Sequence, residues 1–467
     1  MKVHLSAICG TAMASLAGLL REQGHEVTGS DQDVYPPMST QLEALGIPIR
    51  SPYAEANVPE DSDLVVVGNA LSRGNPEVET VLDRRQRFTS LPALVAEEFL
   101  RPRTSMVVAG THGKTTTTSL LAFLLYQAGL DPSFLIGGVP VDFGRSYRLS
   151  RGRHFVIEGD EYDCAFFDKR PKFVHYLPDV AIVGNVEFDH ADIYPDLAAV
   201  QLAFVRLLNV IPRRGLIVAG TESPALVGVL EKARSRVVTF GLHEGADWRA
   251  TDLSTGADGS RFRLLRKGRD EGEFALALGG EHNVRNALAA LAAAAEAGAE
   301  PAALRGALAE FRGVRRRLEL RGEAGGVAVY DDFAHHPTAV AATLAALRAP
   351  AGRGRLLAVF EPRSYTAKTR VFQDEFARAF TGADRVIVAA AHLPGKVPED
   401  QRLSEAALAA GVRQHGGDAV FVPTVDEIVR TLVAEVRPGD RVAILSNGGF
   451  GGIHDKLLRT LEAVGRS

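Results

Sequence analysis

Gly110-Thr111-His112-Gly113-Lys114-Thr115-Thr116 follows the apolar run Met106-Val107-Val108-Ala109 and precedes the helix-like stretch Ser119–Tyr126. A strand, a glycine-rich turn and a helix in that order build a phosphate cradle. The glycines let backbone N–H groups approach phosphate oxygens, and the positive helix N-terminus attracts them. Lys114 is placed to reach terminal phosphates and the Thr115 hydroxyl to hold Mg²⁺. The full Walker spacing asks for glycine at position 108, where this chain has Val108, so the loop is a shortened relative. Alone, Gly-Lys-Thr marks little more than a turn; between a strand and a helix it points to a nucleoside triphosphate.

Around this loop the chain has 467 residues, too many for one ordinary core, and two to four domains are expected. Hydrophobic residues make up 46% and charged residues 24%, the balance of a globular enzyme. A net charge of −4 offers no basic field for nucleic acid. Cys9 and Cys164 form neither a metal nor a disulfide pattern, as expected of a reducing cytoplasm. Met1-Lys2 and the uncharged stretch through Leu20 have the outline of a secretory signal. Gly10 and Thr11 break it where a βα turn would fall, so strand–turn–helix–strand is expected. No stretch is long and apolar enough to span a membrane.

Three regions separate by pattern: 1–102, 103–314 and 315–467. The first alternates short strands (Val3–Ile8, Glu26–Gly29, Leu64–Val67) with helical stretches, the rhythm of a small parallel Rossmann-like sheet. Its first turn, Ala7 through Met13, and Asp31 at the end of the second strand stand where a dinucleotide fingerprint would, with too few glycines for one. That shortage disfavours a dehydrogenase. The second region carries strands Phe155–Ile157, Val180–Val183 and Leu216–Val218, a buried helix Ala287–Ala299, and between Asp247 and Glu273 the alternation of a hairpin insertion. After Arg312-Gly313 and a linker at Val314–Arg317, the third carries Val327–Tyr330, Leu356–Phe360, Arg385–Ala389, Ala419–Val422 and Arg441–Leu445. An α/β chain of three units is expected.

Chemistry gathers at strand ends. His154–Ile157 runs into Glu158-Gly159-Asp160-Glu161-Tyr162-Asp163, four carboxylates that repel unless a cation relieves them. Glu158, nearest the strand, is the expected Mg²⁺ ligand. Val180–Val183 ends in Gly184 through Asp192, where Asp189 is a rival ligand and His190 either a second ligand or a phosphate-orienting group. Asn283 and Asn286, three apart at the start of the Ala-rich helix, share a face and suit an adenine edge or a plain helix cap. Arg315-Arg316-Arg317 offers guanidinium groups for phosphate. Tyr330-Asp331-Asp332-Phe333-Ala334-His335-His336-Pro337 lacks the partners of a closed zinc site and reads as a nucleotide or substrate contact. Glu361-Pro362-Arg363-Ser364 and the glycine-rich Ser446–Gly452 end two further strands.

The series, in this order and over essentially the whole chain, resembles the Mur ligase family of ATP-dependent amide-bond-forming enzymes. The resemblance implies a UDP-sugar-binding Rossmann-like unit, a central P-loop ATPase and a Rossmann-like unit that delivers the amine. Gly110, Thr111, His112, Gly113, Lys114, Thr115 and Thr116 would be the ATP loop, joined by Asn283, Asn286, Arg317 and Asp332. Thr115, Glu158 and His190 would hold Mg²⁺. Gly10, Thr11, Ala12, Met13, Asp31 and Asn69 would take the UDP-sugar, and His336 and Arg363 the amine substrate. His335 would be a base or orienter in catalysis beside Lys114, Glu158 and His190.

Ile8–Thr11, Val34–Thr40, Glu158–Asp163, Ala165–Arg170, Asn185–Asp192, Glu361–Ser364 and Ser446–His454 resemble the branch that joins L-Ala-γ-D-Glu-meso-diaminopimelate to UDP-N-acetylmuramate in peptidoglycan recycling. The branch that adds L-alanine in biosynthesis would show a glycine-richer first turn and Glu-Ala-Asp-Glu-Ser-Asp at the acidic loop. Two departures stand out. No lysine occurs between Lys172 and Lys232, where many members carry a carbamylated one, and Tyr365-Thr366 replaces the recycling branch's Asn-Thr. A cytoplasmic monomer or weak dimer is expected. The rival of another class is an ATP-driven switch protein, which needs the loop but no separate sugar-nucleotide unit.

Overall fold

The structure, a computed structural model, describes residues 1–32, 34, 38–348, 354–393 and 397–464. Part of the Val34–Thr40 stretch, residues 35–37, lies outside the described residues. Among those described, the chain builds three large sheets and one two-stranded ribbon.

The N-terminal sheet is parallel, with spatial order Ile49–Arg50, Glu26–Ser30, Lys2–Ser6, Leu64–Val67, Phe88–Ser90. The strand expected to reach Ile8 stops at Ser6, because Ala7 turns into the left-handed region at φ 69° while its N–H donates to Ser30 O. Helix Thr11–Glu22 follows, so the first thirty residues form a strand–turn–helix–strand unit.

The central sheet has ten strands. Its heart is parallel: Arg236–Gly241, Leu216–Gly220, Val180–Val183, Thr104–Ala109, His154–Glu158 and Ser133–Leu135, side by side. Val180–Val183 is buried at all four positions, which is why it reads as an unbroken apolar run rather than an alternation. The expected hairpin is in fact a three-stranded antiparallel meander, Trp248–Gly256, Gly259–Arg266 and Arg269–Leu276. A second tight turn, with Lys267 at φ 51° and Gly268 at φ 79°, adds the extra strand. The alanine-rich helix runs over Glu281–Glu296 rather than to Ala299, ending as Gly298 turns to φ 97°. It packs on the helix that follows the phosphate loop, Lys114–Gln127, and its small side chains let both lie buried against the sheet.

The C-terminal sheet has the order Glu319–Ala324, Val327–Asp332, Arg441–Leu445, Leu356–Phe360, Arg385–Val388, Ala419–Phe421, parallel except for its first pair. No helix among the described residues is long and apolar enough to cross a membrane.

Candidate active site

Strand Thr104–Ala109 lies between two parallel neighbours, with Val108 opposite Glu158 and Ala109 opposite Val183. Three segments therefore leave one sheet edge together: the phosphate loop, the acidic loop from Glu158, and Gly184 to His190. Ligand sites of α/β sheets form at that edge. The loop is held there by its neighbour, since the His112 N–H donates to Asn185 Oδ1 at 2.8 Å and the Thr111 N–H to Asn185 O at 3.1 Å. Gly113 has φ 82°, and a Cβ on it would lie 2.6 Å from Asn286 Oδ1, so this position admits only glycine without strain.

The electrostatics centre on a carboxylate that sequence reasoning passed over. Lys114 Nζ donates to Glu161 Oε2 at 2.8 Å and Oε1 at 3.0 Å, and to Gly110 O at 2.8 Å. His190 Nε2 lies 3.0 Å from Glu161 Oε1. Burial opposes the charge on Lys114, yet Glu161 and Asp160 outweigh it and its pKa stands above the usual lysine value. For His190 too burial is outweighed, by Glu161 and then Asp189, and its pKa is raised; its backbone adopts the left-handed φ of 56°. Glu158 meets different partners: Thr115 Oγ1 donates to its Oε1 at 3.0 Å and the Gly137 N–H to its Oε2 at 2.8 Å. Burial pushes its pKa up against the pull of Lys114. The expected metal set thus falls into two adjoining groups, Thr115 with Glu158 and His190 with Asp160 and Glu161.

Two cavities flank this centre. One of about 590 Å³ is lined by His112, Gly113, Thr116, Asn283, Asn286, Arg317 and Asp332 among others. Gly110, Thr111, Lys114 and Thr115 stand behind it, turned toward Asn185, Glu187 and the acidic loop. Asn286 Nδ2 donates to Asn283 Oδ1 at 3.3 Å, confirming a shared face. Asp332 accepts from the Leu318 and Ala334 N–H groups at 2.7 and 2.8 Å and so fixes the turn that carries Arg317, whose guanidinium lies over the Phe333 ring.

The other cavity, about 480 Å³, is lined by Gly10, Thr11, Ala12, Met13, Asp31 and Asn69, and by Lys172 of the central unit. Asp31 braces the turn itself, accepting from the Cys9 N–H at 2.8 Å and the Tyr53 hydroxyl at 3.0 Å. Lys172 joins this cavity to the phosphate loop, because its Nζ lies 2.8 Å from Asp160 Oδ2, beside Glu161, which pairs with Lys114.

Comparison with known proteins places this arrangement. Residues 108–294 match the Mur ligase middle domain, 316–448 the Mur ligase glutamate ligase domain and 2–101 the Mur ligase family catalytic domain. The chain is 47% identical, over 98% of both sequences, to the UDP-N-acetylmuramate--L-alanyl-gamma-D-glutamyl-meso-2,6-diaminoheptandioate ligase of Escherichia coli (strain K12). The chain belongs to the Mur ligase family. It is also 37% identical to a UDP-N-acetylmuramate--L-alanine ligase of Anaeromyxobacter sp. (strain Fw109-5), over 99% of this chain and 98% of that one. A crystal structure of the murein peptide ligase of Psychrobacter arcticus 273-4 superposes with a TM-score of 0.75 at 39% identity and covers 99% of each chain.

In this Mur ligase, the C-terminal unit brings its histidines to the same edge. His335 Nδ1 lies 2.9 Å from Phe333 O, and burial lowers its pKa to about 4. His336 Nε2 lies 3.1 Å from Phe188 O, and burial followed by the nearby His112 lowers it likewise to about 4. Both rings are neutral at pH 7, which suits His335 to orienting an amine better than to removing a proton from an ammonium. Arg363 lies 3.7 Å from Glu361 and flat against Gly448. Glu161, Asp160, Lys172 and Glu187 are site-forming residues that no single motif pointed to. The acidic run around Glu161 was the available signal, but strand register decides which carboxylate meets Lys114.

Proposed function

We propose that this Mur ligase joins UDP-N-acetylmuramate to the tripeptide L-Ala-γ-D-Glu-meso-diaminopimelate with cleavage of ATP to ADP and phosphate. The single observation that carries the reading is the charged chain Lys172–Asp160–Glu161–Lys114. It runs from the N-terminal cavity to the phosphate loop, where a sugar-nucleotide carboxylate and a γ-phosphate would have to meet. The 47% identity to the E. coli ligase favours the tripeptide over L-alanine.

In this reading residues 1–102 hold the UDP-sugar, 103–314 the ATP and 315–467 the amine. A carboxylate is a poor acylating agent, so its oxygen first attacks the γ-phosphorus, ADP departs and an acyl phosphate forms. Lys114 neutralises charge on the transferred phosphoryl group, and Arg317 binds phosphate oxygens beside it. Asn283 and Asn286 face the adenine. The tripeptide's terminal amine, positioned by His336 and by Arg363 pairing with a peptide carboxylate, then attacks the acyl carbon, loses a proton and expels phosphate. His335 orients the amine. Closure of the C-terminal unit over the edge keeps water from the acyl phosphate.

Hard carboxylate oxygens of Glu158, Asp160 and Glu161, the Thr115 hydroxyl and the His190 imidazole are the groups that would hold a Mg²⁺ ion. When bound it supplies Lewis-acid stabilisation of phosphoryl charge.

Phosphate release from ATP, measured with UDP-N-acetylmuramate and either the tripeptide or L-alanine, tests the proposal. Tripeptide-dependent release with a product of matching mass supports it. Release with L-alanine alone moves the chain to the biosynthetic step, and release indifferent to acceptor leaves an ATP-driven switch.

A further inference from the structure

Three groups of metal-ligating side chains among the described residues bring their donor atoms within 4.8 Å of one another: Asp160–Glu161–His190, Cys164–Asp168–His175 and His112–Glu187–His336. The first belongs to the phosphate site, and its Glu161 is neutralised by Lys114. In the second, Asp168 is held at both oxygens by Arg170, at 3.0 and 2.8 Å, and by His175. The third lies outside both, at the seam where the phosphate loop and Glu187, in the loop that follows Val180–Val183, face the C-terminal unit.

We propose that His112, Glu187 and His336 form a binding site for a divalent transition-metal ion of borderline softness, zinc(II) above all. No lysine or arginine among the described residues is ion-paired with Glu187. Its Oε2 instead lies 3.3 Å from His112 Nε2 and 3.8 Å from His336 Nδ1, and the two rings are 4.6 Å apart between centroids. Tetrahedral zinc with bonds of about 2.0–2.2 Å sets its donors roughly 3.3–3.5 Å apart, so the triad needs only small adjustment to close on an ion.

Supporting contacts are already in place. The far nitrogen of His336 meets Phe188 O at 3.1 Å, which places the ring proton there and leaves Nδ1 free of one, and the Thr338 hydroxyl fixes Glu187 Oε2 at 2.6 Å. Nδ1 accepts the Thr338 N–H at 3.3 Å, a long bond that the ion would replace. Three protein donors leave a fourth position facing the adjoining cavity, which His112, Glu187 and Thr338 line. Two imidazoles select zinc over magnesium. Because His112 sits in the phosphate loop and His336 in the C-terminal unit, a bound ion ties the two together.

Zinc binding to the full-length protein, read by competition with a chromogenic chelator in excess Mg²⁺, tests the site. Expected is about one tight equivalent per chain, weakened roughly tenfold or more by His112→Ala, Glu187→Gln or His336→Ala and unchanged by His190→Ala or Cys164→Ser. Circular dichroism melts, and the isosteric His336→Gln if His336→Ala is unfolded, keep loss of fold apart from loss of a ligand. Cobalt(II) gives a second readout, since its intense four-coordinate visible bands must vanish in the same three variants. Absence of a zinc equivalent, displacement of zinc by Mg²⁺, or loss of zinc in His190→Ala or Cys164→Ser but not in His336→Ala overturns the proposal.

Discussion

Glu161 holds Lys114 and His190 at once: Oε2 lies 2.8 Å from the Lys114 ammonium and Oε1 3.0 Å from His190 Nε2. One buried carboxylate thus fixes the phosphate-loop lysine and the strand-end histidine in a single geometry, although 47 and 29 residues separate them from it along the chain.

Replacing it isolates that geometry. Glu161→Gln keeps the shape but turns an N–H donor toward either Lys114 or His190, and breaking a buried pair from one side costs about 3–5 kcal/mol. The expected outcome is a fall in kcat on the order of 10²-fold with the KM for UDP-N-acetylmuramate little changed, since the loss falls on charge stabilisation rather than sugar binding. Steady-state phosphate release at saturating ATP checks it. An unchanged kcat would show that Lys114 is positioned by the loop carbonyls alone.

Gly113→Ala addresses the nucleotide side. The left-handed φ of 82° strains any side chain by roughly 1–2 kcal/mol, and the new methyl would press on Asn286 Oδ1 at 2.6 Å. The KM for ATP is expected to rise about tenfold or more. In the double variant with Asn286→Ala the clash disappears while the backbone strain persists, so the two effects should fall short of adding. Calorimetric titration with a non-hydrolysable ATP analogue across the four-protein cycle measures that shortfall.

What could be read before folding was what is local. The phosphate loop is seven consecutive residues, Val180–Val183 is a run buried on both faces, and Asn283 and Asn286 meet because three residues of helix separate them. The position of Asp332 at a strand end was equally legible, but not its grip on the Leu318 N–H, which depends on the path of the preceding turn. Pairings such as Lys114–Glu161 and His336–Glu187 arise from strand register and from docking of the third unit, and neither leaves a periodic trace. The extra strand of the meander is hidden for a similar reason: Phe262 and Leu264 alternate visibly, whereas Trp248–Gly256 is buried only at Trp248 and Ala250 and exposed at Asp252, Ser254 and Thr255, with no apolar rhythm strong enough to mark a separate strand.

Gly448 offers a test on the amine side. A Cβ there would fall 2.0 Å from Arg363 Nε and 2.2 Å from its Cζ, so Gly448→Ala must lift the guanidinium from its bed. The Gly448 carbonyl also accepts from Arg316 at 2.7 Å, a contact the substitution spares. A charged hydrogen bond is worth about 1.5–3 kcal/mol, so the KM for the tripeptide should rise roughly 10- to 100-fold. The KM for ATP should hold. Kinetics with each substrate varied in turn distinguishes this from general damage, which would raise both.

The N-terminal unit carries its own pH sensitivity. Glu77 is fully buried beneath the first strand, where it accepts from the Ser6 and Ser30 hydroxyls at 2.6 and 2.5 Å and from Asn57 Nδ2 at 2.9 Å, with His4 3.9 Å away. Burial works against its charge, but these partners outweigh burial and lower its pKa from 4.5 to about 2. A carboxyl with a depressed folded-state pKa stabilises fully above its unfolded value and loses that contribution as pH falls through the folded one. The window here runs from about pH 4.5 down to about 2, and the contribution at neutral pH is roughly 3 kcal/mol. Three separate sheets make one melting temperature a poor reporter, so the measurement is local: hydrogen exchange of peptides spanning Lys2–Ser30, corrected for intrinsic rates. Wild-type protection should decline across that window. Glu77→Gln, which cannot bind or release the proton, should begin less protected at pH 7 and lose little more on acidification. A wild-type slope retained in the variant would assign the acid sensitivity to another group.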